Sequence, residues 1–549
     1  MAAEFNRRKF LEVSGAAMMA GALSRQASSG QAPQPPAGNS SDSTGAAERR
    51  SSLAKRPNII LFQPDELRAD SLACFGNPLT KTPNFDRLAA EGAKFTNCHV
   101  QYPVCGASRC SFLTGWPTSV RGHRSLYYFL RPYEPNLFRY LKDGGYDVYW
   151  YGKNDALAAE SFYGSVTEWS EVGKGGRARF AGRGAPGIMK GGTPMPDDFL
   201  FPPMGDRREE NDYRLVLSAI DILERTETDK PFCIFLPLIN PHPPYTCPAD
   251  FYNMYSPNDV PAPIPFGLPR RPSFHEKIRE RYGLTNVPEA TLRKIKAVYY
   301  GQVSFQDWVL GQLLEALDRT NHDKDTAVIC FSDHGDYTGD YGLVEKWPSG
   351  LEDVLTHVPM IARVPGGVPG VESHDMIENF DMMATCLDLA GIQAKHTHFS
   401  RSLLPQVSGK AGDPNRAAFC EGGYNVYEPQ CYEPLTTGGI YAPKVRLQNE
   451  EPQTITRCAM VRTQDAKLIV RPQGQSELYV YKTDPHEEHN LYGESGVAAL
   501  QDELQTRLTH WYINTTGIAP FDKDARDSPP DTPGRKPPEP GWQEAILDT

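Results

Sequence analysis

Asn58-Ile-Ile-Leu-Phe-Gln63-Pro64-Asp65-Glu66 is an apolar run of strand length that stops at a proline and two acids. A nearly continuous apolar run of this kind reads as a strand buried on both faces of a parallel sheet. Four more follow at Asp147 to Tyr151, Pro231 to Ile239, Thr326 to Ser332 and Pro359 to Val364. Helical patterns separate them at Asn84 to Glu91, Pro135 to Asp143, Tyr213 to Arg225, Ala290 to Leu317 and Met382 to Ala390. This alternation predicts an α/β sandwich around a largely parallel central sheet.

Beyond about Asp413 the texture changes. Short strand-like runs at Ala459 to Arg462, Lys467 to Val470 and Leu478 to Lys482 precede a helical stretch, Val497 to Ile513, which predicts a smaller C-terminal α+β domain. The expected organisation is a signal over 1–25, a flexible linker rich in Ser, Gly, Ala, Pro and Gln over 26–56, a large domain over 57–412, the small domain over 413–521, and a Pro-rich tail over 522–549. Asn6-Arg-Arg-Lys9-Phe-Leu11 ahead of the modest apolar stretch Val13 to Leu23 resembles a twin-arginine export signal, which implies the export machinery as a partner and a periplasmic or extracellular destination. No later segment approaches the ~20 uninterrupted apolar residues of a membrane span, so stable membrane insertion is not expected.

The 549 residues are 39% hydrophobic, enough for a large core, and the formal net charge of -11 argues against nucleic acid or an anionic membrane as partner. An anionic substrate therefore needs locally gathered cations. The eleven cysteines show no CxxC pair and no zinc-like spacing.

In open α/β sheets ligands bind beyond the carboxyl ends of the strands, so the residues after each run carry the functional information. These are Asp65-Glu66, then Gly152-Lys153-Asn154-Asp155, then Asn240-Pro-His242-Pro-Pro-Tyr245, then Ser332-Asp333-His334-Gly335-Asp336. Asp65, Glu66, Asp333 and His334 together suit a hard divalent cation such as calcium or magnesium; separately the three acids read as ordinary capping residues and the histidine as structural. Lys153 and His242 offer a cation and a proton donor, and Gly342-Leu-Val-Glu345-Lys346-Trp347 offers a second lysine. Cys105-Gly-Ala-Ser-Arg109-Cys-Ser-Phe-Leu-Thr-Gly115 places a thiol and an arginine at a helix start, where free N–H groups favour an anion. Taken alone it also reads as a buried cysteine, or one paired with Cys110, beside a surface arginine.

From Asn58 to roughly Leu491, these six segments and a seventh near the end of the chain resemble sulfatase motifs in the family's order. The resemblance implies an alkaline-phosphatase-like fold and hydrolysis of sulfate esters, of a sulfated carbohydrate or an aryl or alkyl sulfate. It implies that Cys105 is converted to formylglycine by a maturation enzyme and acts as nucleophile, and that one divalent metal, calcium first and magnesium or manganese next, is held by Asp65, Glu66, Cys105, Asp333 and His334. Arg109, Lys153 and Lys346 would hold the sulfate, His242 would protonate the leaving oxygen, and Asp155 would act as a base. The closing Tyr481-Lys-Thr-Asp484-Pro485-His-Glu-Glu-His-Asn490-Leu491 is similar to the family's ending. Three positions depart from the pattern: Ala107 stands where the commonest maturation signal has proline, Glu66 where an aspartate is common, and Asp155 where many members carry histidine. Two alternatives remain open from the residues: a phosphodiesterase or phosphonate monoester hydrolase on the same fold, and an exported anion- or glycan-binding protein in which Cys105 is never converted.

Overall fold

In β1 (Asn58–Asp65) successive side chains point to opposite faces, and every residue is buried. Ile60 and Phe62 enter one apolar core and Ile59 and Leu61 enter another. A strand with a core on each side must be polar-poor, which is why the run is nearly continuous rather than alternating. The computed structural model of the protein describes residues 56–174, 199–225, 230–435 and 439–520. The signal, the tail and all but the last residue of the linker lie outside the described residues, as does most of the glycine-rich, basic sequence 173–192.

The other strands of the main sheet are β2 (Ala93–His99), β3 (Asp147–Tyr151), β4 (Glu168–Ser170), β5 (Phe232–Pro241), β6 (Thr326–Phe331), β7 (His357–Arg363) and β8 (Val371–Glu378). Their order is β4-β3-β5-β1-β6-β7-β2-β8. All neighbours are parallel except the two pairs made by β7, which runs antiparallel to β6 and β2. The sheet is thus largely parallel, as expected, with one reversed strand. One face carries α1 (Pro83–Glu91), Asn211–Arg225 and Glu289–Arg319; the other carries Cys105–Thr114, Leu137–Asp143 and Asp381–Ala390. We number these α2 (Cys105–Thr114), α3 (Leu137–Asp143), α4 (Asn211–Arg225), α5 (Glu289–Arg319) and α6 (Asp381–Ala390). Emptying a fully buried position such as Leu61 to alanine would cost about 2–5 kcal/mol.

A second, antiparallel sheet follows in the order β12-β11-β10-β9, built from β9 (Ala418–Gly422), β10 (Cys458–Arg462), β11 (Ala466–Val470) and β12 (Glu477–Val480). Between β9 and β10 lies α7 (Ala442–Glu450), and α8 (Ala498–Thr515) closes the described chain. Val461, Leu468 and Leu478 meet Leu504 and Leu508 of α8 on one face, while Met460, Ile469 and Tyr479 join the core beneath the first sheet on the other. The described residues fall in one compact unit. Position 413 lies in the connection between Val407 and β9. Among the described residues no helix is long and apolar enough to cross a membrane.

Candidate active site

Asp65 is the last residue of β1, Lys153 follows β3 by two positions, His242 directly follows β5, and Asp333 follows β6 by two. These are adjacent strand ends in the sheet, so parallel topology alone gathers their side chains. Two glycines make the approach possible. A Cβ on Gly152 would stand 2.2 Å from the Pro237 carbonyl oxygen, and one on Gly335 would stand 2.0 Å from that of Val354. Between β1 and β6 the Ser332 hydroxyl accepts from Leu67 N–H (2.9 Å) and donates to the Pro64 carbonyl (2.9 Å).

The buried α2 presents Cys105 as its first residue. Its Sγ lies 3.1 Å from His334 Nε2, 3.5 Å from Asp65 Oδ1 and 3.7 Å from Lys153 Nζ. Burial, reinforced by the Asp65 charge, pushes the Cys105 thiol well above its usual range. An unmodified Cys105 is therefore a protonated thiol and a poor nucleophile. One turn along, Arg109 donates to Asp333 Oδ2 (2.9 Å) and Asp65 Oδ2 (3.0 Å), and it is fully buried. Lys153 Nζ adds a contact to Asp65 Oδ2 (2.8 Å) and pairs with Asp155 (2.9 Å). Burial alone would raise the Asp65 carboxyl, but Lys153 and Arg109 outweigh it and hold the group well below the usual carboxylate range.

His334 Nδ1 lies 2.8 Å from the Gly335 carbonyl, which can only accept, so Nδ1 carries the proton and Nε2 turns a lone pair toward Asp65 and Cys105. Burial lowers its basicity and favours that neutral form. His242 is anchored the same way, with Nδ1 donating to the Pro243 carbonyl at 2.6 Å and Nε2 3.3 Å from Glu66 and 3.4 Å from Lys346. Burial first and Lys346 second hold His242 well below its ordinary range.

Glu66 has φ +65°, the left-handed region that side chains adopt only under constraint. The constraint is visible: its N–H donates to Asp333 Oδ1 (3.2 Å), and its carbonyl accepts from the Tyr299 hydroxyl of α5 (2.6 Å). One carboxylate oxygen pairs with Lys346, while the other is buried and has no hydrogen-bond partner among the described residues. Ligand atoms of Asp65, Glu66, Cys105 and His334 lie within 4.8 Å of one another. That donor set, with an orphaned carboxylate oxygen and an aimed imidazole lone pair, fits a hard divalent cation. Asp333 stands outside this group; its oxygens accept from Glu66 N–H, His334 N–H and Arg109.

All the residues singled out from the sequence are thus brought into one connected cluster. Three more surround it that the sequence reading passed over. Tyr299 lies mid-helix, where an aromatic reads as core. Glu345 (φ +63°) accepts from Lys346 at 2.7 Å and from Lys444 of α7 at 2.9 Å. Neither Tyr299 nor Lys444 belongs to a motif, and no local signal would have found them. A separate cavity of about 630 Å³, lined by Tyr424, Arg457, Gln473, Gln505 and Tyr512 among others, contains none of the cluster residues.

A doubly wound α/β sandwich with paired acids, two histidines and three cations around a buried helix-start cysteine is an arrangement suited to the hydrolysis of anionic esters. The sulfatase family model matches residues 57–392, and the chain belongs to that family; it is a sulfuric ester hydrolase. It is 28% identical over 400 residues to human iduronate 2-sulfatase, covering 64% of this chain and 72% of that one. To an arylsulfatase of Clostridium perfringens it is 28% identical over 375 residues, covering 61% and 75%. The solved phosphonate monoester hydrolase of Agrobacterium radiobacter shares the fold, with TM-score 0.68 and 22% identity over 84% of this chain and 96% of that one.

Proposed function

We propose that the protein hydrolyses the sulfate ester of a sulfated carbohydrate, with formylglycine formed from Cys105 at the reacting position and one divalent metal beside it. The observation that carries this reading is the convergence on Cys105 Sγ of Asp65, His334 and Lys153 within 3.1 to 3.7 Å, at the amino end of a buried helix. Formylglycine in its hydrated form supplies an oxygen nucleophile that the buried thiol does not. Asp65, Glu66 and His334, with Asp333 behind them, would hold the metal, calcium being the first to test; when bound it lowers the proton affinity of the nucleophile and draws charge from the sulfate oxygens.

The remaining steps fall to the chain's own groups. Arg109 helps keep Asp65 ionised and holds the carboxylates of Asp65 and Asp333 in place beside the reacting atom. Lys153 and Lys346 supply the cations that a sulfate's non-bridging oxygens require as charge grows in the transition state. His242 is neutral before substrate arrives, and takes up the proton-donor role only once the incoming negative charge favours its cation. Asp155, paired with Lys153 at 2.9 Å, orients that ammonium and is assigned the role of base in the step that expels sulfate. The carbohydrate preference rests on the name of the iduronate relative and on the tyrosine-bearing stretches 127–135 and 422–441; a sugar ring stacks on such surfaces. Residues 1–25 are read as an export signal, so periplasmic recovery of full-length protein is the expected localisation result.

Peptide mass spectrometry across Cys105 tests the central step. Natively produced active protein should carry the aldehyde, and an intact thiol in fully active enzyme would remove it. Unmodified protein that binds sulfate esters without turnover would favour the binding-protein alternative. Rates on aryl sulfate, aryl phosphate diester, phosphonate and sulfated saccharides then rank the ester; faster phosphonate cleavage would overturn the sulfate assignment.

A further inference from the structure

Lys346 does not stand alone in the cluster. Its ammonium pairs with Glu66 and Glu345 and lies 3.4 Å from His242 Nε2, and the Glu66, His242 and Glu345 ligand atoms lie within 4.8 Å of one another. Two carboxylates and a neutral imidazole therefore surround one ammonium. By themselves these groups carry a net negative charge, which would repel the anion that Lys346 is read as binding.

We infer that Lys444, entering from α7, is a positioning residue for Lys346: it takes up the charge of Glu345, so that the Lys346 ammonium remains available to a sulfate anion. Lys444 Nζ lies 2.9 Å from Glu345 Oε2 and 3.2 Å from Oε1, while Lys346 holds Oε1 at 2.7 Å. Lys444, Glu345 and Lys346 are only 5%, 2% and 4% exposed, so solvent does little to screen them. With Lys444 present, two ammoniums balance two carboxylates. Glu345 cannot readily swing away, since its backbone is in the left-handed region and its N–H donates to the Tyr245 hydroxyl (3.1 Å). Tyr441 fixes the start of α7 by donating to the Pro243 carbonyl (3.3 Å), with its ring 6.2 Å from that of His242. Both Tyr441 and Lys444 lie beyond the residues the family model matches, 57–392, so this contribution belongs to the C-terminal part of the chain.

The inference rests on the reading of Lys346 as a sulfate-binding group, and inorganic sulfate as competitive inhibitor of the matured enzyme separates the two. Lys444→Met should raise both the sulfate inhibition constant and KM about tenfold with a smaller fall in kcat, and Lys444→Arg should return both to within about threefold of the parent. In a Glu345→Gln background, Lys444→Met should have no further effect, because the charge it compensates is gone. That pair also serves if Lys444→Met alone fails to fold. A well-folded Lys444→Met with unchanged sulfate inhibition, or a further loss in the Glu345→Gln background, overturns the inference. Lys346→Ala with unchanged sulfate inhibition would instead overturn the reading of Lys346 itself.

Discussion

The Tyr299 hydroxyl donates to the Glu66 carbonyl and accepts from Arg68 N–H at 3.0 Å, holding a glutamate in a conformation that its side chain disfavours. Tyr299→Phe leaves a buried carbonyl and a buried N–H without their partner, so it should cost about 1–3 kcal/mol and lower Tm accordingly, as thermal unfolding would show. An unchanged Tm would mean that Glu66 keeps its backbone geometry by other means. At this scale Asp65, Glu66, Lys153, His242, Asp333 and His334 were legible because each ends or closely follows a strand, and chemistry at such places is unusual enough to notice. Tyr299, Glu345 and Lys444 were not, since a helix tyrosine reads as core and an acid beside a lysine reads as a surface pair. Tyr299 and Lys444 act through partners distant in sequence, and Glu345 through the remote Lys444 as well as its neighbour Lys346.

Among the elements, the turn after β6 is the tightest constraint on the site. Gly335→Ala would drive its Cβ against the Val354 carbonyl and displace Asp333 and His334 together, so bound metal and stability should fall in one variant. Metal content measured beside Tm checks this, and full metal occupancy at native Tm would contradict it. Within α5, Asp307 accepts from the Asn84 and Phe85 N–H groups at the start of α1, both at 2.9 Å. Burial pushes its carboxyl up to about 7, above the value of 3.8 expected in the unfolded chain, so the folded state holds a proton that the unfolded state has released. The associated stability is present below about pH 4 and is lost as pH rises through about 7, an effect on the order of a few kcal/mol. Asp307→Asn should flatten that part of the Tm against pH curve, and an unaltered slope would refute it. The β1, β3, β5 and β6 strands were legible from their apolar runs. By contrast β2, with Lys94, Thr96 and Asn97, and β8, with Glu372, Ser373, His374 and Asp375, carry too many polar residues to stand out. Both lie toward one margin of the sheet, where one-sided burial tolerates them. The reversal of β7 has no sequence signature, because strand direction follows from the connection rather than from the strand's own residues.

For the molecule as a whole, a resident metal would be bound by the folded chain alone, and its removal should be visible as lost stability. Chelation followed by thermal unfolding should lower Tm by the equivalent of about 3–4 kcal/mol if the site is normally near saturation, with calcium restoring it. A Tm indifferent to chelation would leave the acid cluster without its expected occupant. The layered architecture and the change of texture near residue 413 were legible in outline, whereas the way β10 to β12 share a core with the first sheet was not, because alternation shows that a strand has two faces and not what each face meets. The 31-residue α5 runs behind these layers and touches several of the loops that bear the site: Lys296 pairs with Asp340, Tyr299 holds Glu66, and Gln306 donates to Asp212, which in turn accepts from Asn240 N–H. One rigid rod about 45 Å long thus supplies a common frame of reference for side chains drawn from remote parts of the chain. The entropy lost in arranging them is lost when the protein folds, so a substrate meets a preorganised site and its binding should involve little further ordering of the catalytic groups.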